Sequence, residues 1–232
     1  MVLTNALNRG LLIAGLGISL AGFAGDQAAQ AGNHKPLRGQ VSVMGQPVAN
    51  ASITHWTTQG GTQPKRVNVV RSRNDGRFDL AVKPSAGTVH YLIASGGTVN
   101  NAKVDRLTML TVLDETVNGT VAISERTTVG SVWPNAQQLK GDQLIGSNNA
   151  LAIGSGHVKH LINPRTGAFG ETLLNGFNLL SSETTARMNV LSNLLGLCGD
   201  PQKQQACTQL FSITEATNTL DAMSPQILLC LG

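Results

Sequence analysis

Aromatic side chains make up only 3% of this 232-residue chain, and charged ones only 13%. A nucleic-acid surface needs a dense Lys/Arg stripe and aromatics on which bases stack. A net charge of +4 supplies no such stripe, so no nucleic-acid partner is expected. Cysteine is scarce too, limited to Cys198, Cys207 and Cys230. Structural zinc takes four ligands, usually from two close Cys or His pairs, yet no histidine follows His160. The C-x-x-C spacing of a redox site is missing as well. Neither a metal nor a cofactor is therefore expected. Long apolar runs are also lacking. Leu11–Phe23 falls short of the about 20 residues that a spanning helix needs, and nothing later is longer.

The first residues carry a three-part pattern. Arg9 precedes the apolar run, and small residues follow it, with Ala29-Gln30-Ala31 matching the A-x-A cleavage rule. Residues 1–31 thus read as a secretory signal peptide, with a cut after Ala24 or a retained anchor as the alternatives. No cysteine follows the run, which excludes a lipoprotein anchor. Gly15-x-Gly17 has dinucleotide-loop spacing, but that loop requires a βαβ unit and here lies in the segment to be removed. The expected location is secreted or periplasmic, with no membrane contact after signal cleavage.

From Leu37 to about Ser124 the chain is written in period two. "GQVSV" alternates Val41 and Val43 with polar neighbours, and "ASITHW" sets Ala51, Ile53 and His55 on one face and Trp56 on the other. "RVNVV", "RFDLAV" and "TVHYLIA" continue the alternation, with "NDG" at 74–76 as a hairpin signal. "LTMLTVL" and "GTVAI" add two further strands. Short strands separated by Gly/Pro/Asn/Asp turns indicate an antiparallel sandwich. The stretches "LRGQVSVMGQPVANASITHW", "SRNDGRFDLAV" and "YLIASGG" resemble the carboxypeptidase regulatory-like domain, a transthyretin-type sandwich. That resemblance implies a non-catalytic accessory or adhesion-like module of a kind sometimes grouped with carbohydrate-binding folds.

After Ser124 the period changes. Ser124 is placed to cap a helix that Pro134 should break or kink. "SNNALAIGSGHVKHLINPRTGAFG" is glycine-rich without a clear period and reads as ordered loop. From Ser182, apolar residues at Met188, Leu191, Leu194, Leu195 and Cys198 follow helical spacing. Gly199 suits a left-handed cap, Pro201 a stop, and Cys207, Leu210 and Phe211 restart the spacing. "ERTTVGSVWPNAQQL", "NALAIGSGHVKHLINPRTGAFG" and "TNTLDAM" resemble a region of bacterial exported proteins. There it lies between a regulatory-like sandwich and an NHL or streptogramin-lyase-like propeller. The propeller is absent, and the chain stops at "SPQILLCLG", so a truncated relative is expected.

Each candidate for chemistry meets a plainer account. In an exported protein, Cys198 and Cys207 across a helical hairpin are expected to form a disulfide, leaving Cys230 odd. His157 and His160 form an H-x-x-H pair with no carboxylate near enough in sequence to complete a metal site, and read as loop histidines. "GSGH" at 154–157 is not the G-x-S-x-G elbow of a serine hydrolase. Lys65, Arg66, Arg71, Arg73 and Arg77 cluster around the "NDG" turn, as a solvated hairpin or a site for an anionic polysaccharide. Trp56 is the residue placed to stack on a sugar ring.

The expectation is an α+β chain: residues 1–31 a signal peptide, 32–124 an N-terminal antiparallel β-sandwich, and 125–232 a mainly helical, loop-rich domain. Its function is read as an exported, non-catalytic accessory or interaction protein. The alternatives are a carbohydrate-binding module using Trp56, Tyr91, Arg71 and Arg73, or the remnant of a lyase-like enzyme. The expected partner is a protein or glycan at the cell surface.

Overall fold

The computed structural model describes residues 36–113 and 119–217. The segment expected to be a signal peptide, Cys230 and the C-terminal tail fall outside them. Period-two alternation becomes strand: β1 (Leu37–Val43) buries every second residue, from Leu37 to Val43. Along the chain follow β2 (Gln46–Pro47), β3 (Ser52–Thr58), β4 (Lys65–Arg71), β5 (Arg77–Leu80), β6 (Val89–Ser95), β7 (Thr98–Val99), β8 (Ala102–Lys103), β9 (Thr108–Val112) and β10 (Thr120–Ile123). β1 pairs antiparallel with β2 and β5, and parallel with β10. The second sheet runs β4-β3-β6-β9, antiparallel throughout. Between the sheets lies a core of Val41, Ile53, Phe78, Leu80, Leu92, Met109 and Ile123.

The "NDG" segment is a corner, not the expected hairpin: β4 belongs to the second sheet and β5 to the first. Gly76 has φ +75°, and a Cβ there would lie 2.4 Å from the Val41 carbonyl oxygen. Only glycine lets the chain turn so sharply against β1.

The second half packs onto the outer face of the second sheet. α1 (Glu125–Val132) starts at Ser124, whose side chain and that of Thr127 complete a reciprocal cap. Pro134 opens a 3-10 turn at Trp133–Gln138, followed by the short hairpin β11 (Leu139–Lys140) and β12 (Gln143–Leu144). Next come α2 (Asn148–Leu161), α3 (Glu171–Leu174), α4 (Gly176–Ser181), α5 (Thr184–Gly196) and α6 (Gln204–Thr217). Val129, Val132, Leu151, Met188 and Leu195 pack with Tyr91, Ile93, Leu110 and Val112 in a second core. The central strands are thus buried on both faces, so β6 reads as a near-continuous buried run.

Thr128 and Ser131 of α1 close the edge of this sheet. Their hydroxyl oxygens accept the N–H groups of Leu110 and Val112 on β9, at 3.2 and 3.0 Å. An open strand edge is a template for aggregation; here two buried hydroxyls satisfy it.

Two further sequence expectations are corrected. The stretch expected to be loop contains α2, a 14-residue helix capped by Ser147. Leu151, Gly154 and Val158 form its buried face, and Gly154 is needed because a Cβ would come 2.3 Å from Asn135 Oδ1. The glycines that obscured the helical period are packing residues. Gly199 is likewise no left-handed cap. It lies in a 3-10 turn, where a Cβ would fall 2.0 Å from Val43 Cγ2.

Candidate functional site

Of the aromatic pair read as a site for a ligand, Tyr91 lies in the core and Trp56 packs against it. Trp56 and Tyr91 face each other across β3 and β6, and their rings stack at 6.4 Å. The face they share is the one that the helices cover. Tyr91 is 0% exposed, its hydroxyl accepts the Leu144 N–H at 3.4 Å, and burial drives its phenol well above the usual range. Tyr91 is therefore a packing residue, and half-buried Trp56 packs beside it. The helical layer that hides this face is written too far along the chain for the strand pattern to announce it.

Arg71 and Arg73 do not join this pair. The Arg71 guanidinium donates to the carbonyl and side-chain oxygens of Asn50, at 3.1 and 3.2 Å. Arg73 pairs with Asp79, and Arg77 with Asp75. Both arginines are accounted for by local contacts in the inter-sheet corner.

Cys198 and Cys207 are disulfide-bonded and fully buried, with Cα atoms 5.0 Å apart. The bridge joins the turn after α5 to the first turn of α6. His157 and His160 lie on α2, not in a loop, and His160 Nδ1 contacts Thr172 Oγ1 at 2.9 Å. Ser155 of "GSGH" donates to the Leu151 carbonyl at 2.6 Å, a back-bond within its own helix. Among the described residues, no group of three or more His, Cys, Asp or Glu is placed to hold a metal.

Two features went unread in the sequence. The first is a groove of about 1020 Å³ between the Trp133 turn, α2 and α5. Trp133, Ile153, Val190 and Leu191 give it an apolar lining, and Glu183 and Arg187 carry opposite charges into it. These two side chains pair at 3.5 Å. Ile153 and Val190 are 61% and 58% exposed, far beyond what a helix face closed by its own core would show.

The second is a histidine pair on the inner face of the second sheet. His55 Nε2 and His90 Nδ1 approach to 3.1 Å, with rings near parallel at 20°. His55 is 1% and His90 5% exposed. Burial, and then the neighbouring His90 ring, lower His55 from 6.5 to about 4; burial also lowers His90. Both rings are therefore neutral near pH 7, and one N–H···N bond joins them. His55 Nδ1 and His90 Nε2, the outer nitrogens, are buried without a hydrogen-bonding partner among the described residues. Period-two patterning placed His55 on the inner face with Ile53; His90 had to be found by register.

No family model matches the chain, and no curated protein matches it. Among solved structures, a 9R-lipoxygenase from Cyanothece PCC8801 aligns with 17% identity and a TM-score of 0.28, over 38% of this chain and 15% of the lipoxygenase.

Proposed function

We propose that this chain is an exported, non-catalytic accessory protein that binds a partner in the groove between α2 and α5. The groove carries the reading: it is concave, with an apolar patch of Trp133, Ile153, Val190 and Leu191 beside the polar Gln137, Gln138, Glu183 and Arg187, a mix that suits a ligand site. Its apolar wall calls for an apolar ligand surface, and the Glu183–Arg187 pair for a polar end that reads both charges. The buried Cys198–Cys207 bridge supports an oxidising compartment, in keeping with the signal pattern of residues 1–31. The glycan alternative loses its stacking surface, since Tyr91 is core and Trp56 packs against it.

Native mass spectrometry of protein recovered from its host's exported fraction tests this. A bound molecule or peptide is expected on the wild type and absent from Ile153→Asp/Val190→Asp, whose exposed sites leave the fold unchanged by circular dichroism. A wild type that carries nothing, or a variant that carries the same species, overturns the proposal.

A further inference from the structure

The loop between β1 and β2 is a two-residue turn, Met44 and Gly45, both at positive φ, +49° and +74°. Hairpin turns of this kind favour Asn-Gly, because a bulkier side chain is strained at the first position. The methionine's place is explained instead by what its side chain touches. It crosses to α5: a Cβ on buried Gly196 would lie 3.0 Å from Met44 Cγ and 3.6 Å from Met44 Sδ. Glu125 Oε1 stands 3.4 Å from the same point and accepts the Met44 N–H. One residue thus fastens the β1–β2 turn to the first turn of α1 and the last turn of α5.

Among the described residues, Met44 is 56% exposed, whereas Met109 is 1% and Met188 0% exposed. Met44 also borders an open cleft of about 610 Å³, beside Ser42, Glu125, Ser192 and Asn193. A small oxidant in water meets this thioether before the other two. Oxidation turns a flexible apolar methionine into a polar side chain. The added oxygen accepts hydrogen bonds but cannot donate one. Of its two neighbours, Gly196 presents only its Cα hydrogens, and Glu125 an oxygen already accepting from the Met44 N–H. Water is the partner left, so the oxidised side chain turns outward and uncovers Gly196.

We propose that Met44 is a site of modification by a peroxide, and that its sulfoxide releases the β1–β2 turn from α5. A sulfur lone pair attacks one oxygen of hydrogen peroxide, and the S–O bond forms as the O–O bond breaks. The sulfur gives up two electrons and the peroxide gains them. The departing hydroxide takes the proton of the transferred oxygen and leaves as water. This site goes beyond the groove between α2 and α5 and shares no lining residue with it.

The test uses the purified chain, its disulfide intact and Cys230 alkylated, treated with dilute hydrogen peroxide and mapped by peptide mass spectrometry. Met44 sulfoxide is expected to form at least about tenfold faster than that of Met109 or Met188, since a buried thioether reacts only when the fold opens. In urea these rates should converge. Hydrogen exchange at the Met44 and Gly196 amides should then quicken at least about threefold in the oxidised chain. Peroxide-treated Met44→Leu should keep the exchange rates of its untreated form. Leucine matches methionine in size and apolarity, so this variant keeps its fold. The proposal is overturned if Met44 oxidises no faster than the buried pair, if its sulfoxide leaves both amides as protected as before, or if Met44→Leu loosens equally under peroxide. The groove reading survives each of those results, since Ile153 and Val190 lie outside this cleft.

Discussion

Lowering the pH below 6.5 should loosen the molecule at its histidine pair. In the unfolded chain His55 titrates near 6.5, while in the folded chain burial and the His90 ring hold it at about 4. Between those values the unfolded chain binds a proton that the folded chain refuses. Unfolding stability therefore falls as pH falls, by about 1.4 kcal/mol for each unit of difference. Some relaxation and solvent screening reduce the full figure, leaving a loss of about 2–3 kcal/mol by pH 4. His90, also lowered by burial, adds in the same direction. Against a typical total of about 5–15 kcal/mol, that loss is large.

Urea unfolding followed by circular dichroism at pH 7, 6, 5 and 4, in oxidising buffer, measures it. The comparison is His55→Gln, whose amide keeps a hydrogen bond to His90 but does not titrate. This variant should be less stable at pH 7, yet its stability should fall with acid by about 2 kcal/mol less than that of the wild type. Glu125 acts in the opposite sense. Burial raises its carboxyl, so protonation favours the folded state as pH falls. It is present in both proteins and cancels in the difference. Parallel pH profiles, or a His55 imidazole that titrates near 6.5 by NMR, would refute the reasoning.

Other predictions follow from single contacts. Thr128→Val and Ser131→Ala should each cost about 1–3 kcal/mol, because each leaves a buried β9 N–H without an acceptor; faster hydrogen exchange at Leu110 and Val112 respectively checks it. On α2, Gly154→Ala should destabilise by about 1–3 kcal/mol through its clash with Asn135. Gly156→Ala, with nothing within 4 Å of its Cβ, should stabilise by about 0.5–1 kcal/mol through helix propensity. Thermal melts of the two variants should move in opposite directions. Reducing the Cys198–Cys207 bridge should cost about 2–3 kcal/mol, read as a lower urea midpoint in reductant.

How much of this was legible in the sequence depended on whether a signal was local. Alternation in "GQVSV" and "RFDLAV" became β1 and β5 because burial on one face repeats every second residue. The Ser124 cap and the Pro134 break appeared where expected because capping and ring geometry act within one turn. Long-range placement was not legible. Nothing in "NDG" says whether the strand beyond it returns to its own sheet or crosses to the other. Tyr91 shares its alternation with Val89 and Ile93, and which layer covers that face is written only in the helices, more than thirty residues later. Gly154 and Gly199 illustrate the same limit: both answer to distant side chains, Asn135 and Val43, whose proximity only the fold creates. The His55–His90 pair joins residues 35 apart in sequence, which no motif spacing encodes.

The shared core bears on the division of the chain at residue 124. Without the helices, the strand segment would expose Tyr91, Ile93, Leu110 and Val112, four residues packed in the second core. At about 1.5–3 kcal/mol for each side chain returned to water, the loss reaches about 6–12 kcal/mol, as large as the whole stability of a typical domain. The β9 edge would also lose its two hydroxyl acceptors. At the other end of the sheet, Thr58 Oγ1 would lose the Leu144 carbonyl, and the Gly60 N–H would lose Asn148 Oδ1, each at 2.8 Å. Residues 32–124 expressed alone should therefore aggregate or bind an apolar dye, and co-expression with residues 125–232 should restore a soluble pair. A monomeric strand fragment with a cooperative thermal transition would show that the sandwich core alone suffices, and that the helical layer is an addition to a finished domain.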